Sequence, residues 1–268
     1  MSLQMKDVSY GLGGCVLLNG ISFSVNPGEV VTVIGPNGAG KSTLLRLAAG
    51  LLAPSAGQIT LDDRDLSTFS GADLAKRRAM LAQDSQLRAR FSVRELAVLG
   101  RLGCSVTRLS EDRVTRALED VGLAHLAERD ILSLSGGERQ RAHFARVLVQ
   151  LRSTHERSRL LLLDEPISAQ DPARQKLILT LARAHAHERG GSCLMVLHDL
   201  NWAAAVSDRI IVLHEGRIHA EGSPAEILTT DILTTTFRIA GQPVHVHEGS
   251  GRPFIIPHDM IHPALHAL

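Results

Sequence analysis

The residues best suited to chemistry lie in Gly35-Pro36-Asn37-Gly38-Ala39-Gly40-Lys41-Ser42-Thr43. Glycine, four residues, then Gly-Lys-Ser, after an apolar strand and at the start of a helix, is the spacing of a phosphate-binding loop. The glycines let main-chain N–H groups curl around an anion with no Cβ in the way. The following helix adds unpaired donors and partial positive charge at its N-terminus. Lys41 sets a point charge on the outer phosphates, and Ser42 is placed to ligate Mg²⁺. A glycine-rich turn would match by chance only rarely in this strand–loop–helix setting. The loop implies ATP or GTP and does not say why the nucleotide is bound.

Two further groups could do chemistry. An apolar run, Leu160 to Leu163, ends in Asp164-Glu165-Pro166. In phosphate-loop enzymes an Asp at the end of such a strand holds Mg²⁺ through Ser/Thr and water. An adjacent Glu can act on the attacking water, where general-base help supplies about 10²–10⁴-fold. A solvated acidic turn is the bland alternative, weakened by the loop at 35–42. The other group is Leu134-Ser135-Gly136-Gly137-Glu138-Arg139-Gln140. Ser135 reads as a helix N-cap, and Gly136-Gly137 expose N–H groups at a helix start. This is either a second anion site or an ordinary cap.

The elements that must position these residues follow from periodicity. Leu3–Val8 and Ile21–Val25 alternate apolar and polar residues as half-buried strands do, and Gln58–Leu61 is a short strand. Helices are expected at Leu66–Met80, Val93–Arg101, Glu111–Val121 and Gly136–Leu151. The polar, basic stretch 152–159 reads as a solvated loop. Beyond it, Leu160–Leu163, Leu194–Leu197 and Ile210–Leu213 are continuous apolar runs that suit parallel strands covered on both faces. Helices over Pro172–Glu188 and Asn201–Val206 complete a βαβ alternation, and Glu215-Gly216 closes a hairpin. Residues 239–268 are Gly-, Pro- and His-rich and read as an irregular extension.

Composition bounds the function. The chain has 268 residues, 44% apolar and 21% charged, with a formal net charge of +1. That is an ordinary globular balance with no electrostatic pull toward nucleic acid or anionic membrane. Cys15, Cys104 and Cys193 have no metal spacing and suggest a reducing compartment. The N-terminal residues lack the apolar core of a signal peptide. No apolar run approaches the roughly 20 residues that span a bilayer. Any membrane role is therefore expected to run through a partner.

Leu134–Glu138 followed by Arg139-Gln140 resembles the signature motif of the ATP-binding-cassette ATPases, and the family's other motifs fall in order around it. The resemblance runs from residue 1 to about 230. It implies an α/β phosphate-loop nucleoside triphosphatase of the cassette type, with an antiparallel β subdomain and an inserted helical subdomain. The cassette would span 1–238, the helical part about 84–150, and the tail 239–268. It further implies that Tyr10 stacks on adenine, that residues 35–43 bind the nucleotide, and that Gln83 is the glutamine of the Q-loop. Ser42, Asp164 and Gln83 would hold Mg²⁺, partly through water. Lys41, Gln83, Glu165 and the switch-like His198 would serve hydrolysis of ATP. In this family two cassettes pair head to tail, so Ser135, Gly136, Gly137, Glu138 and Asp171 would act in trans on a second copy's nucleotide. Two departures stand out. Ile167 replaces the usual Thr and Gln170 the usual Leu. Neither position carries a charge or ligand in the family scheme, so hydrolysis is expected to stand and only the subunit contact to differ.

A single cassette without membrane spans resembles importer ATPases rather than fused exporters. Arg77–Gln83, Phe91–Leu96 and Leu99-Gly100-Arg101 resemble the iron-chelate, haem and cobalamin importers. The polar stretch at 152–159 and the tail around Pro243–His247 and Gly251–Pro257 resemble the haem-importing branch. This implies a peripheral subunit on the cytoplasmic face of a bacterial inner membrane. Two polytopic permease subunits would be its partners, with a periplasmic haem-binding protein acting indirectly. Ferric-siderophore or cobalamin import is the alternative. A soluble cassette ATPase acting on nucleic-acid complexes is disfavoured by near-neutral charge. His245, His247, His258, His262 and His266 invite a haem-binding role, but a packed tail with exposed histidines is the simpler expectation.

Overall fold

The computed structural model describes residues 2–83, 89–101, 108–153, 159–239, 243–257 and 260. Strands β1 (Leu3–Leu12) and β2 (Cys15–Val25) form an antiparallel hairpin, and β3 (Val30–Ile34) carries the chain into the glycine-rich loop. Helix α1 (Lys41–Ala48) follows, then β4 (Ala56–Leu61) and the short β5 (Arg64–Asp65). The first sheet runs β2-β1-β4-β5, all antiparallel. Next come α2 (Gly71–Arg77), β6 (Arg78–Leu81), α3 (Val93–Val98), α4 (Arg108–Asp120) and α5 (Gly136–Arg152). The second half alternates β7 (Leu160–Asp164), α6 (Pro172–His187), β8 (Ser192–Val196), α7 (Leu200–Val206) and β9 (Arg209–His214). It continues with β10 (Arg217–Gly222), α8 (Pro224–Ile227), α9 (Thr230–Phe237), β11 (Val244–Val246) and β12 (Pro253–Ile255).

The second sheet has the order β10-β9-β3-β8-β7-β6, parallel except for β10. Its central strands are buried on both faces, and the two-residue period sorts their side chains between two cores. Val30, Ile34, Leu161, Leu163, Cys193, Met195, Ile210 and Val212 face one core, shared with α3–α7. Val31, Val33, Leu160, Leu162, Leu194, Val196, Ile211 and Leu213 face the other, shared with α1 and the antiparallel sheet. Helix α1 is thus sandwiched between sheets, which fixes the loop at its N-terminus. Glu215 (φ +48°) and Gly216 (φ +71°) make the expected turn between β9 and β10.

Three expectations change. The single helix at Leu66–Met80 is a 3₁₀ turn at Leu66–Thr68, then α2, then strand β6. Ala79 and Leu81 are good helix formers, but burial beside β7 at the sheet edge overrides local propensity. The solvated loop at 152–159 ends in Arg159, which is 2% exposed. Its Nη1 donates to Gln150 O (2.7 Å) and to Leu151 O, placing positive charge on the last carbonyls of α5. Residues 154–158 lie outside the described residues. The tail is not irregular over 243–257. Strands β11 and β12 pair there, and Ile255 is buried in the core. Asn201 of α7 brackets Ile255, accepting its N–H (2.6 Å) and donating to its carbonyl (3.1 Å). Arg252 donates to the carbonyls of Ala204 and Ala205 at the end of the same helix.

Candidate nucleotide site

The loop leaves β3 at Gly35, whose φ is +151°. A Cβ there would lie 2.0 Å from the carbonyl oxygen of Leu213 on β9, so only glycine fits. Lys41, the first residue of α1, is 6% exposed. Its Nζ donates to Gly35 O and Pro36 O, both at 2.8 Å, so the loop's own carbonyls hold the ammonium. Burial pushes its pKa down, against the opposing charges of Glu165 and Asp164. Ser42 Oγ donates to Asp164 Oδ1 at 3.1 Å. Burial raises the Asp164 carboxyl above the ordinary range, and the Ser42 hydroxyl opposes that shift.

Glu165 follows β7 with φ +49°, a left-handed conformation uncommon for a residue with a side chain. Its N–H donates to Val196 O (3.2 Å), and its carbonyl accepts from Gln140 Nε2 (2.9 Å) and Ser168 Oγ (3.2 Å). These bonds hold the strained main chain and aim the carboxylate. Its Oε1 lies 2.5 Å from His198 Nε2. His198 sits just beyond β8, and Asp199 caps α7 by accepting from Trp202 N–H (2.9 Å).

Asn37, Gly38, Gly40, Lys41, Ser42 and Thr43 line a cavity of about 530 Å³ with Leu17, Gln83, Glu165 and His198. Glu165, His198 and Gln83 lie beyond the C-terminal ends of β7, β8 and β6, the end at which open parallel sheets bind ligands. Gly35, Pro36, Ala39 and Asp164 are not among its lining residues. Tyr10 is paired with Leu18 across the β1–β2 hairpin, next to Leu17, and does not itself line the cavity.

A family profile described as ABC transporter matches residues 18–168, from β2 through the loop to just past Glu165. The chain belongs to the ABC transporter family. It is 44% identical over 258 residues to a hemin import ATP-binding protein of Rhodopseudomonas palustris, covering 95% of this chain and 94% of that one. It is 45% identical over 255 residues to a hemin import ATP-binding protein of Pseudomonas fluorescens, covering 95% and 99%. A solved dimeric bacterial ABC transporter cassette superposes with a TM-score of 0.72 at 25% identity, over 82% of this chain and 98% of that one. As an ABC ATPase, the chain binds ATP.

The signature residues stand apart from the cavity. Ser135 caps α5, accepting from Glu138 N–H (3.3 Å), while Glu138 Oε2 accepts from Ser135 N–H (2.9 Å) and from its hydroxyl (2.8 Å). Those bonds hold the Glu138 carboxyl below its ordinary pKa. Ser135 and Gly136 are exposed. Asp171 caps α6, accepting from Arg174 N–H (3.0 Å). Neither Asp171 nor any of Ser135–Glu138 lines the cavity of its own chain.

Three residues near the site were not singled out from the sequence as site residues. Leu17 carries no chemical signal. Gln140 was visible next to the signature, and its tie to Glu165 depends on how α5 packs. Gln170, a departure expected to alter only the subunit contact, is buried and bonded to α5. Ile167 takes the other departure position as a core residue, 5% exposed.

Proposed function

We propose that this chain is the ATP-hydrolysing subunit of a bacterial haem importer, paired head to tail with a second copy and docked on two permease subunits. The separation of Ser135–Glu138 from the cavity carries the mechanism. One chain supplies the loop, Asp164, Glu165, Gln83 and His198 to one nucleotide, and its exposed helix cap suits the γ-phosphate of the other. ATP then favours the closed pair because it contacts both halves, and hydrolysis removes that difference. Lys41 neutralises the outer phosphates. Glu165 takes a proton from the attacking water, and His198, 2.5 Å away, orients its carboxylate.

The oxygen donors fit Mg²⁺. The hydroxyl of Ser42 and the buried carboxylate of Asp164 face one another beside the loop, with the Gln83 amide at the rim, and hard cations take oxygen ligands. When bound, Mg²⁺ would neutralise charge on the phosphates. The full-length match to hemin import ATP-binding proteins supports haem over siderophore or cobalamin. No helix among the described residues is long and apolar enough to cross a membrane, which agrees with a peripheral subunit. The cassette is read as 1–238 with a helical part at about 84–150, and 239–268 as an extension.

Glu165→Gln tests the site. It should keep ATP binding, lose at least about a hundredfold in turnover, and accumulate a closed dimer on ATP by size-exclusion chromatography. Wild-type turnover would remove Glu165 as the base. Reconstitution with its permease tests the cargo. Haem with its periplasmic binding protein should stimulate hydrolysis, and stimulation by a ferric siderophore or cobalamin instead would reassign the importer.

A further inference from the structure

Gln170 occupies a position where the family usually has leucine, and it is 9% exposed. Both ends of its amide are used. Nε2 donates to Gly137 O (2.9 Å) and to Gln140 Oε1 (2.8 Å). Oε1 accepts from Arg141 Nη1 (2.7 Å). Gln140 in turn donates from its own Nε2 to the carbonyl of Glu165 (2.9 Å). A Cβ on Gly137 would lie 2.6 Å from Ala169 O and 3.4 Å from the Gln170 amide. The segment after Glu165 therefore lies against α5 more closely than a side chain at 137 would allow. Leucine at 170 could make none of these bonds and would leave the buried Arg141 Nη1 without this acceptor.

We infer that Gln170 is a positioning residue, fastening the main chain of Glu165, through Gln140, to the first turn of the signature helix in the same chain. Glu165 needs such fastening, because its left-handed main chain (φ +49°) persists only where its surroundings hold it. The same first turn carries Ser135 and Gly136 toward a second copy. Seating that turn on the partner's nucleotide therefore shifts the frame that holds Glu165 over the chain's own nucleotide. In this cassette the two sites of a pair are linked by side-chain amides at a point where the usual leucine offers only packing. The inference rests on Glu165 serving hydrolysis as proposed above.

Gln170→Glu is the discriminating variant. It keeps the shape and the acceptor for Arg141, but a carboxylate donates nothing to Gly137 O or Gln140 Oε1. It should remain folded at the assay temperature by circular dichroism and keep its affinity for a non-hydrolysable ATP analogue within about twofold, while kcat falls at least about tenfold. Gln140→Met with Gln170→Glu should be no slower than the slower single variant, because the path is already cut. Glu165→Gln is assayed alongside. If it turns over like wild type, the reading of the site fails. If it is inactive while Gln170→Glu folds and keeps wild-type kcat, the positioning role is wrong. Should Gln170→Glu not fold, Gln170→Leu decides by the same kcat criterion.

Discussion

At the scale of single residues, the chain places its charges where loops and strand ends can hold them. Lys41 is buried against two carbonyls of its own loop, and Asp164 is buried under a serine hydroxyl. Each is a group whose cost of burial is offset by a partner of complementary polarity. Both were legible in the sequence, Lys41 from Gly-Lys-Ser after one apolar strand and Asp164 from the acidic end of another. His185 was not. It lies on α6, and burial lowers its pKa from 6.5 to about 4, only partly opposed by a bond between its Nε2 and Arg159 O (2.9 Å). The charges of Arg189, Arg159 and Arg152 also disfavour its protonation. Because the folded pKa is the lower one, the unfolded chain binds the extra proton. The neutral imidazole's contribution is complete above about pH 6.5 and is lost as pH falls toward 4. Between pH 7 and pH 5 this group should cost about 2 kcal/mol of stability. Urea unfolding of His185→Gln should show a correspondingly flatter pH dependence than wild type, and parallel profiles would show that His185 is not the group responsible.

At the scale of elements, caps and apolar runs carried most of the reading. The signature helix starts at Ser135 with a reciprocal bond to Glu138, as Ser-Gly-Gly-Glu implies. The runs at 160–163, 194–197 and 210–213 give the buried strands β7, β8 and β9, with Leu197 just past β8. Reading failed where an element's identity depends on its neighbour. Strand β6 has helix-forming residues and is a strand because it pairs with β7. The tail hairpin lies in a stretch rich in Gly, Pro and His, and Asn201 and Arg252 tie it to α7. Asn201→Ala should therefore destabilise that docking by about 1–3 kcal/mol. Limited proteolysis should then cut within 243–257 while the rest of the cassette stays intact and ATP still binds. Unchanged protection would mean that the packing of Ile255 alone holds the hairpin. His245 lies against Phe254, with ring centroids 5.7 Å apart, and His247 accepts from Ser250 N–H (3.2 Å). His245 is half-buried and His247 exposed, and His258, His262 and His266 lie outside the described residues.

At the scale of the whole molecule, the proposed pairing gives the chain two halves of different sites rather than one complete site. The cavity gathers the loop with Gln83, Glu165 and His198, and the exposed cap of α5 is not part of its lining. Ser135→Arg should consequently block turnover while leaving nucleotide affinity of the isolated monomer within about twofold, since the bulky cation meets only a partner's nucleotide. Loss of monomer binding in an equilibrium titration would overturn the assignment in trans. The sequence by itself determined the nucleotide loop, the acidic strand end, the helix caps and the buried parallel strands. The loop, the acidic turn and the caps depend on residues near one another in the chain, and strands covered on both faces show as continuous apolar runs, so spacing and residue type suffice. Only the tertiary structure decided that β6 is a strand, that Arg159 is buried, that the tail is a docked hairpin and that Gln170 ties the signature helix to Glu165. In each case the partner lies on another element, and burial against that partner outweighs the local preference of the residues themselves.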